Sequence, residues 1–165
     1  MQNAVPHTEL PQIREILESV TDPEIPVLTI ADMGILRDVQ VQDGEIEVVI
    51  TPTYTGCPAM DMIAMNIRLA LLEHGYQKVK ITSVLSPAWT TDWMTEAGKQ
   101  KLKEYGIAPP LSRANRLGLP GETAVPCPHC GSANTRLLSE FGSTACKSLY
   151  QCNECLEPFD YFKCH

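Results

Sequence analysis

Residues 35–75 read ILRDVQVQDGEIEVVITPTYTGCPAMDMIAMNIRLALLEHG, and within them the spacing of apolar residues changes once. The segments 35–42 and 45–51 alternate with period two and flank Asp43-Gly44, a pair suited to the positive φ angles of a type I′ hairpin turn. After the loop TPTYTG the alternation stops. From Pro58 to His74 the chain is apolar at helical spacing, and Gly75 stands at the C′ position where helices end. Two strands and a helix, joined by a loop that ends in Cys57, therefore form the centre of a first domain.

Reading outward, TELPQIREILESV (8–20) places Ile13, Ile16, Leu17 and Val20 on one helical face, with Thr8 as N-cap. The prolines of TDPEIP stop it. KVKITSVL (78–85) is a third strand, and DWMTEAGKQKLKEYG (92–106) is a final helix ended by Gly106. The order α-β-β-α-β-α gives an α+β class, a small two-layer domain over residues 1–106. Residues 107–125, rich in proline, glycine and polar groups, form a linker to a C-terminal module at 126–165. The helix at 58–74 is apolar nearly all round, which one small sheet cannot cover, so a homodimer is expected.

Six of the seven cysteines lie in that module. Cys127-x-x-Cys130 and Cys152-x-x-Cys155 stand 21 residues apart, the pattern of a four-thiolate site in which each turn supplies two sulfurs to one tetrahedral ion. A segment of this length builds little core, so the metal supplies folding energy. A zinc ribbon with Zn2+ as structural ion is the reading, and iron of rubredoxin type is its alternative. His129, inside the first knuckle, and the terminal His165 are read as solvent-facing. Cys146 is read as a small core hydrophobe, and Cys164 lies one residue from the end.

Cys57 is different. Pro58 suits the first helical position, which places Cys57 at or beside the N-cap, near the positive end of the helix dipole. A sulfur there is a better nucleophile or soft-metal ligand. Thr51, Thr53 and Thr55 offer hydroxyls close in sequence, while Asp22 and Glu24, in a rigid DPE loop, offer carboxylates for a proton or a hard metal. A pocket uniting Cys57 with Asp22 or Glu24 is the expectation. The commoner fates of such residues are packing for the cysteine and helix-end capping for the acids. His7 and His74 complete no Cys-His-Asn set, so a cysteine hydrolase is not supported.

Charge excludes other classes. Residues 1–110 hold 8 Lys/Arg against 15 Asp/Glu, and residues 111–165 hold 5 of each, so neither part has the basic excess of a nucleic-acid binder. No apolar run is long enough to span a bilayer, and no secretory leader is visible, which points to a cytoplasmic protein with no membrane partner.

DPEIPVLTIADMGILRDV, VVITPTYTGCPAMDMI and SPAWTTDWMTEAGKQKL resemble the iron–sulfur-assembly-associated domain of SufT-like proteins and cytosolic iron–sulfur targeting factors, over roughly residues 8–106. The most specific features are Asp22-Pro23-Glu24, Asp32-x-Gly34, Gly56-Cys57-Pro58, Trp89 and Met94. The functional cysteine of that family falls on Cys57. With SEFGSTACKSLYQCNECLEPFDYFKC added, the chain resembles the PaaD family, accessory proteins encoded with the bacterial phenylacetyl-CoA epoxidase system.

This resemblance implies an accessory or maturation role in aerobic phenylacetate degradation. Its partners would be epoxidase subunits or iron–sulfur assembly proteins, and its cargo a transient iron ion or Fe–S cluster. The residues agree with a part that is neither oxygenase nor reductase. The Glu and Glu-x-x-His helices of a di-iron site, a flavin or Rossmann fingerprint and a ferredoxin cysteine run are all missing. A non-catalytic adaptor that bridges subunits through its ribbon is the alternative, and a thiol enzyme is a third reading.

Overall fold

The computed structural model describes residues 9–111 and 124–163. The chain divides into two compact units, residues 1–95 and 96–165. The expected N-cap Thr8, together with His7, Cys164 and His165, lies outside the described residues.

In the first unit α1 (Leu10–Glu18) precedes the hairpin of β1 (Leu36–Gln42) and β2 (Glu45–Ile50), which is followed by α2 (Ala59–Glu73) and β3 (Val79–Ser83). Asp43 and Gly44 have φ of 51° and 77°, the two positive values that the hairpin turn demands. β2 is the central strand, antiparallel to β1 and parallel to β3. Its alternation is realised: Ile46, Val48 and Ile50 are buried, as are Ile13, Ile16 and Leu17 of α1 and Ile63, Ile67 and Leu71 of α2. On β2 and β3 the polar pairs are cross-strand, with Lys80 Nζ 3.0 Å from Glu47 and Thr82 donating to the same carboxylate. Among the described residues, no helix is long and apolar enough to cross a membrane.

The sheet covers only one side of α2. Ala59, Ile63, Ile67 and Leu71 are buried, whereas Met62, Met65, Leu69 and Leu72 are each about half exposed. These four recur at intervals of three, four and three residues and so form one continuous apolar stripe.

Two expectations are corrected after β3. The helix read over 92–106 is broken into a 3-10 turn, Thr91–Trp93, and α3, Glu96–Glu104. Between them Met94 is extended, with φ −68° and ψ 138°. Asp32 is the cause: its carbonyl accepts from Thr95 N–H at 2.9 Å and its carboxylate from the Thr95 hydroxyl at 3.1 Å, which holds the chain out of the helix. The segment read as a linker from residue 107 also begins differently. Ile107–Ala108 form β4, paired in parallel with β7 (Pro158–Phe162), and α3 belongs to the second unit. Both residues are buried, and a two-residue strand is too short to leave a period in the sequence. Most of the remaining linker, 112–123, lies outside the described residues.

The second unit completes its sheet with β5 (Thr135–Ser139) and β6 (Lys147–Cys152), in the order β4-β7-β6-β5. Its core is Ala108, Val125, Cys127, Cys152, Phe159 and Tyr161, with Tyr150 stacked on Phe159 at 5.9 Å.

Gly34 (φ 70°) lies against Trp93, where a Cβ would come within 2.7 Å of both the Trp93 Cβ and its carbonyl oxygen. Gly75 (φ 92°) has open space around it. Gly75→Ala should therefore cost only left-handed strain, about 1–2 kcal/mol, whereas Gly34→Ala adds a backbone overlap and should cost at least about 3 kcal/mol. Urea unfolding of the two variants measures this, and equal losses would contradict the close approach.

Candidate metal centre and candidate thiol site

The four cysteines of the ribbon meet. Their sulfurs all lie within 4.8 Å of one another, with Cys127 to Cys155 at 3.7 Å and Cys130 to Cys152 at 3.5 Å. A zinc ion bonded to four thiolates at about 2.3 Å has sulfur–sulfur edges of about 3.8 Å, so the set fits a tetrahedral ion. The chain makes the knuckles with matching turns. Cys127 N–H donates to the Ser132 carbonyl at 2.9 Å, and Cys152 N–H to the Glu157 carbonyl at 3.0 Å. The fourth residue after the first cysteine of each pair is left-handed, Gly131 at φ 78° and Leu156 at φ 66°.

Cys127 and Cys152 are buried, Cys155 is half-buried and Cys130 is exposed. Backbone N–H groups of Cys155 and Glu154 aim at the Cys152 sulfur and lower its pKa to about 7. Cys155 accepts from Glu157 N–H, yet burial and the sulfurs of Cys152, Cys127 and Cys130 hold its thiol up, at about 12. Four thiolates cannot sit this close without a cation, and ligation of a metal must expel the remaining protons. His129 is not among the clustered ligands, and its Cε1 lies 3.3 Å from where a Cβ on Gly106 would stand. Cys146 is buried just before β6, with its sulfur 3.0 Å from the Thr144 hydroxyl, apart from the cluster.

Cys57 sits on the connection from β2 to α2, half-buried, immediately before the N-cap Pro58. Gly56 (φ 82°) turns the loop, the Cys57 N–H donates to Tyr54 at 3.2 Å, and its carbonyl accepts from Met60 at 3.3 Å. The loop therefore leaves the carboxyl end of β2, beside the loop that leaves parallel β3, and Val84 N–H joins the two by donating to Ile50 at 2.9 Å. Thr51 and Thr53 are buried and Thr55 is exposed. Among the described residues the buried Thr51 hydroxyl has no hydrogen-bond partner, although its N–H donates to Ile35.

Asp22 ties its own loop. Its buried carboxylate accepts from the N–H groups of Glu24 and Ile25, both at 2.8 Å. Glu24 is half-buried. Among the described residues, Cys57, Asp22 and Glu24 do not gather their ligand atoms into one group as the ribbon cysteines do.

The residue whose structural part the sequence did not assign is Asp32. It is buried, accepts from Thr29 N–H and from the Thr95 hydroxyl, and its own N–H donates to the Thr29 hydroxyl. Trp89 braces the same turn by donating to the Met33 carbonyl at 2.8 Å. The only signal for these was the motif resemblance.

Thiolate ligation makes metal binding compete with protons. Zinc affinity, measured against a chromophoric chelator, should fall by at least about tenfold for each pH unit below neutrality, because protonation then reaches even Cys152. A pH-independent affinity would remove the four-thiolate assignment. Cys152→Ser should unfold the ribbon and leave the first unit folded, as read by hydrogen exchange.

Residues 11–83 match the model of an iron–sulfur cluster assembly protein family, and residues 112–163 match that of the PaaD zinc beta ribbon domain. An Escherichia coli K12 protein, named as a component of a 1,2-phenylacetyl-CoA epoxidase, is 52% identical over 158 residues, 93% of this chain and 94% of that protein. An Fe–S protein maturation auxiliary factor of Porphyromonas gingivalis is 36% identical over 62% of this chain and 97% of its own length. In fold, a DUF59 domain from Bacillus anthracis covers 56% of this chain and 89% of its own, with a TM-score of 0.52 at 24% identity. With both units matched and the identity running nearly end to end, the chain belongs to the PaaD family, an iron–sulfur-assembly domain joined to a zinc ribbon.

Proposed function

We propose that this protein is a cytoplasmic maturation factor of a phenylacetyl-CoA epoxidase system in aerobic phenylacetate degradation, handling iron or an Fe–S cluster through Cys57. The observation that carries the reading is the place of Cys57: a half-exposed thiol before α2, at the carboxyl end of two parallel strands, where α/β sheets present ligand sites. The similarity to named Fe–S maturation factors over the first unit supports it. The thiol gives up its proton when it takes the metal ion and recovers it on release. Asp22, held by two backbone N–H groups, shapes the DPE turn instead of binding cargo. In the ribbon the structural ion is zinc, held by Cys127, Cys130, Cys152 and Cys155. The clients are epoxidase subunits or assembly proteins.

The test is Cys57→Ser in cells that make the epoxidase. Iron or cluster content of the epoxidase components should fall at least about tenfold, while pull-down of the partner is unchanged. Full maturation by the variant would favour a non-catalytic adaptor.

We also propose a homodimer closed by the α2 stripe. Met62, Met65, Leu69 and Leu72 repeat at the spacing by which one helix seam packs against another, and a two-fold axis lets the same stripe serve both copies. Half-burying four such side chains in each copy is worth roughly 6–12 kcal/mol, enough to offset a typical association cost of about 4–15 kcal/mol only when both faces are apolar. Met65→Lys should leave a folded monomer by sedimentation at micromolar concentration. A wild-type monomer would overturn the proposal.

A further inference from the structure

The second unit contains a cleft of about 400 Å3 that does not involve Cys57 and that borders the metal centre at Cys127. One wall is α3, presenting Glu96, Lys99 and Lys103, so that two ammonium groups face one carboxylate, and the other walls include Pro109, Pro110, Pro126 and Pro128. Its volume lies within the roughly 300–1,000 Å3 of small-ligand sites. Proline has no N–H, so those walls give apolar ring surface and no backbone donors at these four positions. Donors come from the helix, where Lys99 and Lys103 are four residues apart and share a face.

The two lysines are not equivalent. Lys99 is held by Glu96 at 2.8 Å and is only 24% exposed. Lys103 makes no ion pair among the described residues. Its neighbour in sequence, Glu104, accepts instead from the Gln100 side-chain amide at 2.9 Å. An unengaged ammonium at the edge of a proline-walled cleft is complementary to an anion on an apolar body.

We propose that this cleft binds a carboxylate carried on a flat apolar group, with its oxygens at Lys103 and its ring against the prolines. The partly positive C–H groups of proline rings meet the negative face of an aromatic ring. Such a group arrives as a free aromatic acid or as an acidic–aromatic segment of another protein, and the chemistry of recognition is the same. The first knuckle contributes Pro126, Pro128 and Gly131 to the wall, so the cleft depends on the metal that orders that knuckle. None of this rests on the reading of Cys57.

Titration of the full-length, zinc-loaded protein with benzoate, followed by NMR, is the test. Benzoate should shift α3 and Gly131 resonances with a Kd in about the millimolar range, and uncharged benzamide should bind at least about tenfold more weakly. Lys103→Gln should weaken benzoate by about tenfold, and Lys101→Ala, off the wall, should change nothing. Zinc content checks that each variant is folded, and removal of zinc should abolish the shifts. A parallel titration with the peptide Asp-Phe-Asp separates the sources: tighter binding than benzoate assigns a protein segment, weaker binding a small acid. Equal binding of benzamide, undiminished binding by Lys103→Gln, or no shift in α3 up to about 10 mM would overturn the proposal.

Discussion

Parallel pairing of β2 with β3 dictates where Cys57 can be. Parallel neighbours cannot be joined by a tight turn, so the chain leaving Ile50 must return over the sheet before Val79 can enter it, and α2 is that return. The loops that leave the two strands then emerge side by side, and Val84 N–H to the Ile50 carbonyl ties them at the root. Ile35 joins the same end by accepting from Thr51 N–H. The turns just before it, with Asp32 and Met33, are braced in place by Thr95 and Trp89. Residues scattered from 32 to 95 in sequence thus act as one support for the β2–α2 loop, because each fills a polar requirement of its neighbour.

In the second unit the constraint is the size of the core. Two of its six core members are themselves metal ligands, Cys127 and Cys152, so metal site and hydrophobic core are one object. The left-handed Leu156 follows from this. A non-glycine residue there costs about 1–2 kcal/mol, and the knuckle holds it in place by hydrogen bonds from Cys152 N–H to Glu157 and from the Gln151 amide to the Leu156 carbonyl. Ligation supplies far more than this strain takes. The metal-free cluster, with one thiol near neutrality and another raised by its neighbours, has no arrangement of charge that satisfies all four sulfurs.

Much of this was legible in the sequence, for identifiable reasons. The hairpin and α2 were readable because Asp43-Gly44 and Gly75 carry local conformational demands that no tertiary contact has to supply. The ribbon ligands were readable because the spacing of a knuckle is itself the chemistry. The break at Met94 was not, because its cause is Asp32, distant in sequence, and a helical period continues through it. Nor was β4, whose two residues gain their place only by pairing with β7. Asp22 illustrates the limit for sites: a carboxylate in a rigid loop reads as a ligand, and only the fold shows that one of its oxygens also ties the loop by two backbone N–H groups. The α2 stripe was half legible, since composition revealed too much apolar surface but only the fold shows which face remains uncovered.

The charges of the two units complete the physical picture of the thiol. Residues 1–95 carry 5 Lys/Arg against 13 Asp/Glu, whereas residues 96–165 carry 8 against 7. A cysteine in so acidic a unit faces a field that concentrates cations and repels anions. Nucleophilic attack on an anionic substrate would work against that field. Transient contact with a metal cation works with it. The field falls off over about 8 Å at physiological salt, so it acts on what is already near the β2–α2 loop. Charge and burial are thus separate properties of the first unit, an excess of acidic residues in the thiol's unit and an uncovered apolar stripe on α2.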